Sequence, residues 1–321
     1  MTINKVMKFQ TTIPIQKSSF LIDYSSNLVS FGSCFAENMS NKLEYFKFST
    51  MANPFGIIFN PISLEKIIVR CIHKKYFTEK DIFFHNDAWH CYEVHSELSN
   101  PDKAEFLSTL NQLIAITNWH IENATHCLIT IGTSWVYKHI ESDAIVANCH
   151  KVPQQQFVKE LLSLTDIKAS LKNIVSAIQD VNPNCKFIFT ISPVRHSKDG
   201  FIENNVSKSL LITALYHFLS KTISSIYFPS YEILMDELRD YRFYAEDMLH
   251  PNQTAIDYIW MKFSENYIDE KEFETMQHVS EIQKALSHRP FNPNSESHIK
   301  FQNNLKQKIN AVVAKYPEMK F

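Results

Sequence analysis

Short apolar runs alternate along the chain with segments in which apolar residues recur every three or four positions. The short runs are typical of buried strands, and they lie at 27–31, 127–132, 186–192 and 225–233. The wider spacing predicts helices at 37–46, 63–73, 103–119, roughly 154–180, 203–222 and 253–267. Strands of this kind that alternate with helices predict an α/β fold, a three-layer sandwich around a mainly parallel sheet.

The pattern changes near residue 269. From there the chain predicts two more helices with a break at 289–295, and their apolar stripes are typical of helices that cover a core. No Gly/Ser-rich linker or internal repeat separates the segments. We therefore expect one α/β domain over residues 1–268 and a helical C-terminal extension over 269–321 that packs on the same domain.

The composition is that of an ordinary globular protein, with 45% apolar and 21% charged residues. A formal net charge of −2 gives no electrostatic basis for binding nucleic acid or an anionic membrane. No apolar run approaches the ~20 residues of a membrane span, and the first residues do not resemble a secretory signal. These features predict a soluble, cytoplasmic protein and leave its oligomeric state open.

Several common site motifs are absent from the sequence. The six cysteines are scattered and form no CxxC pair, which favours reduced thiols over disulfides or a structural zinc site. Neither GxGxxG nor GxxxxGK[ST] occurs, which argues against an ordinary Rossmann or P-loop nucleotide site.

Glycine is scarce, so its positions are informative. The chain has four glycines, where average usage would give roughly 20. Gly32 stands between an apolar run and a helical pattern, directly before Ser33 and Cys34. Either the turn is tight, or the backbone comes close to a group that reacts at one of these two side chains. Ser33 is also a favoured residue for capping the helix that follows.

A second informative stretch is "AEDMLHPN", in which Asp247 and His250 stand three residues apart before Pro251. On one turn, the carboxylate can accept the Nδ1 proton of the imidazole and leave Nε2 facing outward. That pair forms the second half of a Ser-His-Asp triad. A surface capping pair would have the same spacing.

The stretch "FGSCFAENM" resembles the signature of the GSCFA-domain family, a bacterial group. Similar blocks span most of residues 25–295: "NPFGIIFNP", "GTSWVY", "NCHKVP", "SPVRH", "DELRDYRFYAEDMLHP" and "HRPFNP". That family resembles the SGNH (GDSL-like) hydrolases, which implies a flavodoxin-like sheet and an ester hydrolase that needs no cofactor or metal. Its substrate would be an acyl or acetyl ester of a carbohydrate or another small polar molecule. The resemblance makes Ser33 the nucleophile, His250 the general base and Asp247 its partner.

The resemblance also implies an oxyanion site made by the serine N–H, a glycine N–H and an asparagine. Gly56 in "NPFG" matches the glycine, but the asparagine position of the GxN block is occupied by Ser134. Ser134 is a weaker donor, and Asn53 or Asn148 are the alternative amides. A missing donor costs on the order of 100-fold or more in turnover. Because Ser134 replaces the expected asparagine, a second hypothesis remains: a binding module that keeps the hydrolase scaffold without useful turnover.

Two further groups have alternative interpretations. Arg195 follows a predicted strand, where it would either bind an anionic part of a substrate or pair with an acid in "MDELRDYRFYAED". His85, His90, His95 and His150 suggest a metal-dependent hydrolase. However, the 85–96 stretch alternates like a strand, so its side chains point to opposite faces. We expect an ordinary hairpin or edge insertion there and no metal site.

Overall fold

The computed structural model describes residues 10–321. In chain order its strands and helices are β1 (Asn27–Gly32), α1 (Cys34–Tyr45), β2 (Ser49–Ala52), α2 (Pro61–Ile72), β3 (Phe83–His85), β4 (Ala88–His90), α3 (Lys103–Asn123), β5 (His126–Ile131), β6 (Trp135–His139), β7 (Ala144–Val146), β8 (Phe157–Leu161), α4 (Leu164–Val181), β9 (Lys186–Ile191), α5 (Phe201–Leu219), β10 (Ser225–Phe228), α6 (Ser230–Glu232), α7 (Gln253–Tyr267), α8 (Phe273–Leu286) and α9 (Glu296–Lys315).

The central sheet has five strands in the order β2-β1-β5-β9-β10, and every neighbouring pair is parallel. This is the 2-1-3-4-5 order of flavodoxin-like folds. The α/β fold with a mainly parallel flavodoxin-like sheet, expected from the sequence, is therefore confirmed.

Alternation along each strand builds the two outer layers. Val29 and Phe31 of β1 point to the face that α2, α3, α4 and α5 cover, whereas Leu28 points to the face covered by α1 and α7. Strands β5 and β9 follow the same rule, so both faces of the sheet are buried. This explains why their sequences are continuous apolar runs rather than alternating ones.

Two small antiparallel units lie outside the central sheet. Strands β3 and β4 form a hairpin, as the alternation over 85–96 predicts, and β7, β6 and β8 form a three-stranded sheet. Arg70 of α2 holds the segment after the hairpin, because its buried guanidinium donates to Glu93 at 2.7 and 2.8 Å.

The C-terminal helices pack on the α/β layers. Tyr45 of α1 and Ser280 of α8 lie 3.3 Å apart through their hydroxyl oxygens. Helix α9 then packs on α8 around Val279, Ile282 and Val312. Within residues 10–321, no helix combines the length and the apolar character that crossing a membrane requires.

The largest differences from the element boundaries that the sequence predicts are at α4 and at the last central strand. Helix α4 begins at Leu164, where Ser163 and Asp166 form a reciprocal capping box, and the preceding stretch pairs with β6 as strand β8. The last central strand ends at Phe228, since Pro229 has no N–H to donate to a ladder. Helical spacing alone does not reveal where a helix must start.

Candidate active site

A cleft of about 410 Å³ lies at the carboxyl ends of β1, β5 and β9. Ser33, Arg195 and His250 line it, although they come from three distant parts of the chain. Parallel sheets bind ligands at this edge. A larger cavity of about 810 Å³ lies at the opposite, amino ends of β1 and β2 against the C-terminal tail, and it contains none of the predicted site residues.

Gly32 is required by close packing between two strands. Its φ is +140°, and a Cβ there would lie 2.1 Å from the carbonyl oxygen of Thr130 in β5. The Gly32 N–H donates to Oδ1 of Asn53 at 2.8 Å, and the next N–H, of Ser33, donates to Thr130 O at 3.1 Å. The tight turn fixes the backbone that carries Ser33.

Ser33 caps helix α1 and faces the cleft at the same time. Its Oγ accepts a hydrogen bond from the Phe35 N–H at 3.2 Å, and the residue is 3% exposed. Cys34, the other candidate nucleophile, has its pKa raised by burial and by the nearby carboxylate of Glu37. A raised pKa disfavours the reactive thiolate.

Asp247 and His250 form the pair that the DxxH spacing predicts. One carboxylate oxygen of Asp247 lies 2.6 Å from His250 Nδ1, and the other accepts the backbone N–H groups of Leu249 and His250 at 2.9 and 3.0 Å. These hydrogen bonds, first the backbone ones, lower the pKa of Asp247 to about 2. The carboxylate is ionised at neutral pH and holds Nδ1 of the ring as its hydrogen-bond donor.

The loop that carries this pair is fixed at both ends. The Ala245 N–H donates to the carbonyl of His250 at 2.8 Å, and Tyr244 bridges to Pro251. His250 is about half exposed, with 47% of its side chain accessible. Ser33 and His250 share the cleft, but no hydrogen bond joins these two described side chains.

The oxyanion donors expected from the resemblance are placed elsewhere. The Gly56 N–H donates to Asn53 O at 2.7 Å, and Ser134 is fully buried with its Oγ donating to Ser207 O. Asn53 binds Gly32 through Oδ1 and Glu37 through Nδ2, and Asn148 accepts the His150 N–H. None of these four residues lines the cleft. The roles predicted for Gly56, Asn53, Ser134 and Asn148 as oxyanion donors are therefore not supported by this geometry.

Comparison with known families shows which family the chain belongs to. The model of the GSCFA family matches residues 27–263, which is most of the chain. The chain belongs to the GSCFA family. A second model, described as the C-terminal domain of GSCFA domain proteins, matches residues 279–321. A search of curated proteins gave no match.

The sequence did not predict the buried lysine that lies beneath the cleft of this GSCFA protein. Lys208 of α5 is 1% exposed, and its Nζ donates to the carbonyls of Gly132 and Ser192, both at 2.7 Å. Burial lowers the pKa of Lys208 to about 7. The amine thus joins the ends of β5 and β9. In the sequence, Lys208 shares a helix face with Leu211 and Leu215, and this is the signal that could have indicated its burial.

His196 also lies in the cleft wall. Its ring stacks on Phe59 with centroids 5.3 Å apart, and its buried Nε2 has no hydrogen-bond partner among the described residues. Burial, together with the charges of Lys208 and His250, lowers the pKa of His196 to about 3. His196 is therefore neutral at neutral pH.

Two of the histidines that suggested a metal, His90 and His150, have ring nitrogens engaged in hydrogen bonds. Nδ1 of His90 lies 2.6 Å from Ser99 Oγ and its Nε2 lies 2.9 Å from His85 O, while His150 Nε2 lies 2.7 Å from Cys91 O. In the described part of the GSCFA chain, no three His, Cys, Asp or Glu side chains are grouped as metal ligands.

Proposed function

We propose that this GSCFA protein is a serine-dependent hydrolase that cleaves an acyl or acetyl ester of a carbohydrate or another small polar molecule. One observation carries the proposal. A carboxylate-oriented imidazole, Asp247–His250, opens on the same cleft as Ser33 at the start of α1. A nucleophile and a base in one cleft, together with a carboxylate that orients the base, are the parts that acyl transfer needs.

In the proposed reaction, Ser33 Oγ attacks the ester carbonyl while His250 Nε2 takes its proton. Asp247 stabilises the imidazolium, which then returns the proton to the leaving alcohol. Water next hydrolyses the acyl-enzyme by the same route in reverse. The Ser33–His250 hydrogen bond would form in the substrate complex, since catalytic hydrogen bonds often tighten only there.

The oxyanion would be stabilised at the amino end of α1. The backbone N–H of Cys34 is the first of the helix, so it has no intrahelical acceptor, and it directly follows Ser33. The positive end of the helix dipole adds to its effect on a developing negative charge.

Hydrolysis of a panel of short-chain acyl esters by two single variants tests the choice of nucleophile. We expect Ser33→Ala to abolish hydrolysis above background and Cys34→Ala to retain it, because burial keeps the thiol protonated. The reverse order of activities would show that Cys34 is the nucleophile. Circular dichroism of both proteins controls for folding.

A binding module on the same scaffold is the second candidate. It is favoured by the engagement of the Ser33 N–H with Thr130 O, which removes one expected oxyanion donor. This candidate predicts that ligands raise the melting temperature without being hydrolysed. Turnover that depends on Ser33 excludes it.

A further inference from the structure

Arg195 lies beside the proposed catalytic groups. It follows β9 and lines the cleft together with Ser33 and His250. Its backbone N–H donates to the carbonyl of Leu249 at 3.4 Å, next to His250 in the chain. The loop that carries the guanidinium is therefore joined to the loop that carries the imidazole.

The guanidinium of Arg195 has only neutral partners among the described residues. Its Nη1 lies 3.7 Å from the sulfur of Met235, and its Nη2 donates to Oδ1 of Asn205 at 3.2 Å. An arginine that is partly removed from water usually binds a carboxylate or a phosphate. Two weak partners leave most of its five donors available.

The acids of the 235–247 stretch are either paired with other residues or exposed without a salt bridge to Arg195. In the stretch 235–247, Glu237 pairs with Lys262, Asp240 with Arg242, and Asp247 with His250. The two remaining acids of this stretch are exposed and form no salt bridge with Arg195. The sequence allowed two partners for Arg195, an acid of this stretch or an anionic part of a substrate. The geometry excludes the acid.

The rest of the cleft is also short of negative charge. Asp199 is the only acid among the described residues that line it, and Asp199 is neutralised by Lys159 at 2.6 Å. Lys198 lines the rim and forms no salt bridge with a described residue. The amino end of α1 adds a partial positive charge at Ser33. Among the side chains that line the cleft, positive charge therefore predominates, which favours a bound anion.

We propose that the ester cleaved by this protein carries an anionic group, a carboxylate or a phosphate, and that Arg195 is the residue that selects it. The inference rests on the proposed hydrolase function and specifies its substrate class. Arg195 binds the charge away from the scissile bond and thereby orients the carbonyl toward Ser33. Such binding energy from a remote part of the substrate is available to accelerate the reaction.

Three acetyl esters that differ in one substituent test the inference. They are 4-acetoxybenzoate, 4-acetoxyphenyl phosphate and the neutral 4-acetoxybenzamide, and kcat/KM is measured from release of the phenol. We expect at least one anionic ester to exceed the amide by about tenfold or more, which is the range of a charged hydrogen-bonded contact. Comparison of the two anions shows whether the group is a carboxylate or a phosphate.

The variants are Arg195→Gln, Arg195→Lys and the control Arg289→Gln, which removes the same charge from an exposed site outside the cleft. The anion-to-amide ratio should fall close to one in Arg195→Gln, recover partly in Arg195→Lys and stay within about threefold of wild type in the control. A general loss of structure lowers both rates and leaves their ratio unchanged. The anion-to-amide ratio therefore distinguishes a loss of anion selection from a loss of protein stability.

Esters that turn over too slowly are compared by calorimetric binding to Ser33→Ala. A wild-type ratio near one together with no anion preference in binding overturns the inference, and so does a preference that survives in Arg195→Gln. Failure of the hydrolase proposal is a different result. In that case Ser33 of the wild type does not react with a fluorophosphonate, whereas Ser33→Ala still binds the anion in preference to the amide.

Discussion

Lys208 supports the backbone of the candidate site although its side chain is buried beneath the cleft. Its ammonium donates to two carbonyls, of Gly132 and Ser192, that are the final residues before the cleft loops. The cost of this position is desolvation, which lowers the pKa from about 10.5 to about 7. Its stability contribution must therefore depend on pH.

Replacement of Lys208 by methionine should change how stability varies between pH 7 and pH 10. Between the folded and unfolded pKa values, the unfolded lysine holds a proton that the folded lysine has released. The free energy of unfolding of the wild type therefore gains up to ~1.4 kcal/mol per pH unit relative to Lys208→Met as the pH rises. Below pH 7 the difference should level off.

Urea unfolding at pH 7, 8 and 9 measures this difference, with Lys172→Met at an exposed position as the matched control. The control should show no pH-dependent difference from the wild type. A difference between wild type and Lys208→Met that is constant with pH would contradict the depressed pKa.

Single residues differ in how much the sequence reveals about them. The Asp247–His250 pair was predictable because both residues lie on one turn, so spacing alone brings them together. Lys208 was not, since its acceptors come from strands that are 76 and 16 residues away in sequence. Arg195 lies between these cases. Its place in the loop followed from the strand pattern, but its lack of an acidic partner depends on tertiary packing.

The turn between β1 and α1 links the elements to the site. Gly32 allows β1 to lie against β5 at the point where the chain leaves the sheet, and a side chain there would collide with Thr130. Scarcity of glycine in the sequence pointed to this position, and the contact with the backbone of β5 gives the reason.

Gly32→Ala should destabilise the protein by on the order of 3 kcal/mol, because it combines a positive φ with a clash against backbone. Gly132→Ala is the control, since its Cβ would meet the side chains of Phe59 and His196 at 3.1 and 3.3 Å, which can shift. We expect about 1 kcal/mol there. Chemical denaturation measures both, and equal effects would be evidence against a special role of the Gly32 turn.

Among the elements, the buried strands were the most predictable. Four of the five central strands are apolar runs, because helices cover both faces of a parallel sheet. The fifth, the edge strand β2, has the sequence STMA and was not predicted. Strand β8 was missed since Phe157–Leu161 is short, lies outside the main sheet and directly precedes α4. Its pairing with β6 is a tertiary contact that no local pattern encodes.

Across the whole molecule, the order of strands in the sheet explains why distant motifs meet. Ser33 follows β1 and Arg195 follows β9, and both strands flank β5 at the centre of the sheet. The His250 loop lies between β10 and α7 and reaches the same edge. Helix α8 lies against α1, α9 packs on α8, and no residue of either helix lines the cleft.

We propose that Ser33 is a nucleophile activated by His250 and Asp247. The decisive experiment is labelling with a fluorophosphonate probe, followed by peptide mass spectrometry, of the wild type, Ser33→Ala, His250→Ala and Asp247→Asn. We predict an adduct on Ser33 in the wild type, none in Ser33→Ala, and labelling that is slower by about 100-fold or more in the other two variants. Well-folded wild-type protein that is not labelled, or that carries its adduct on another residue, would contradict the claim.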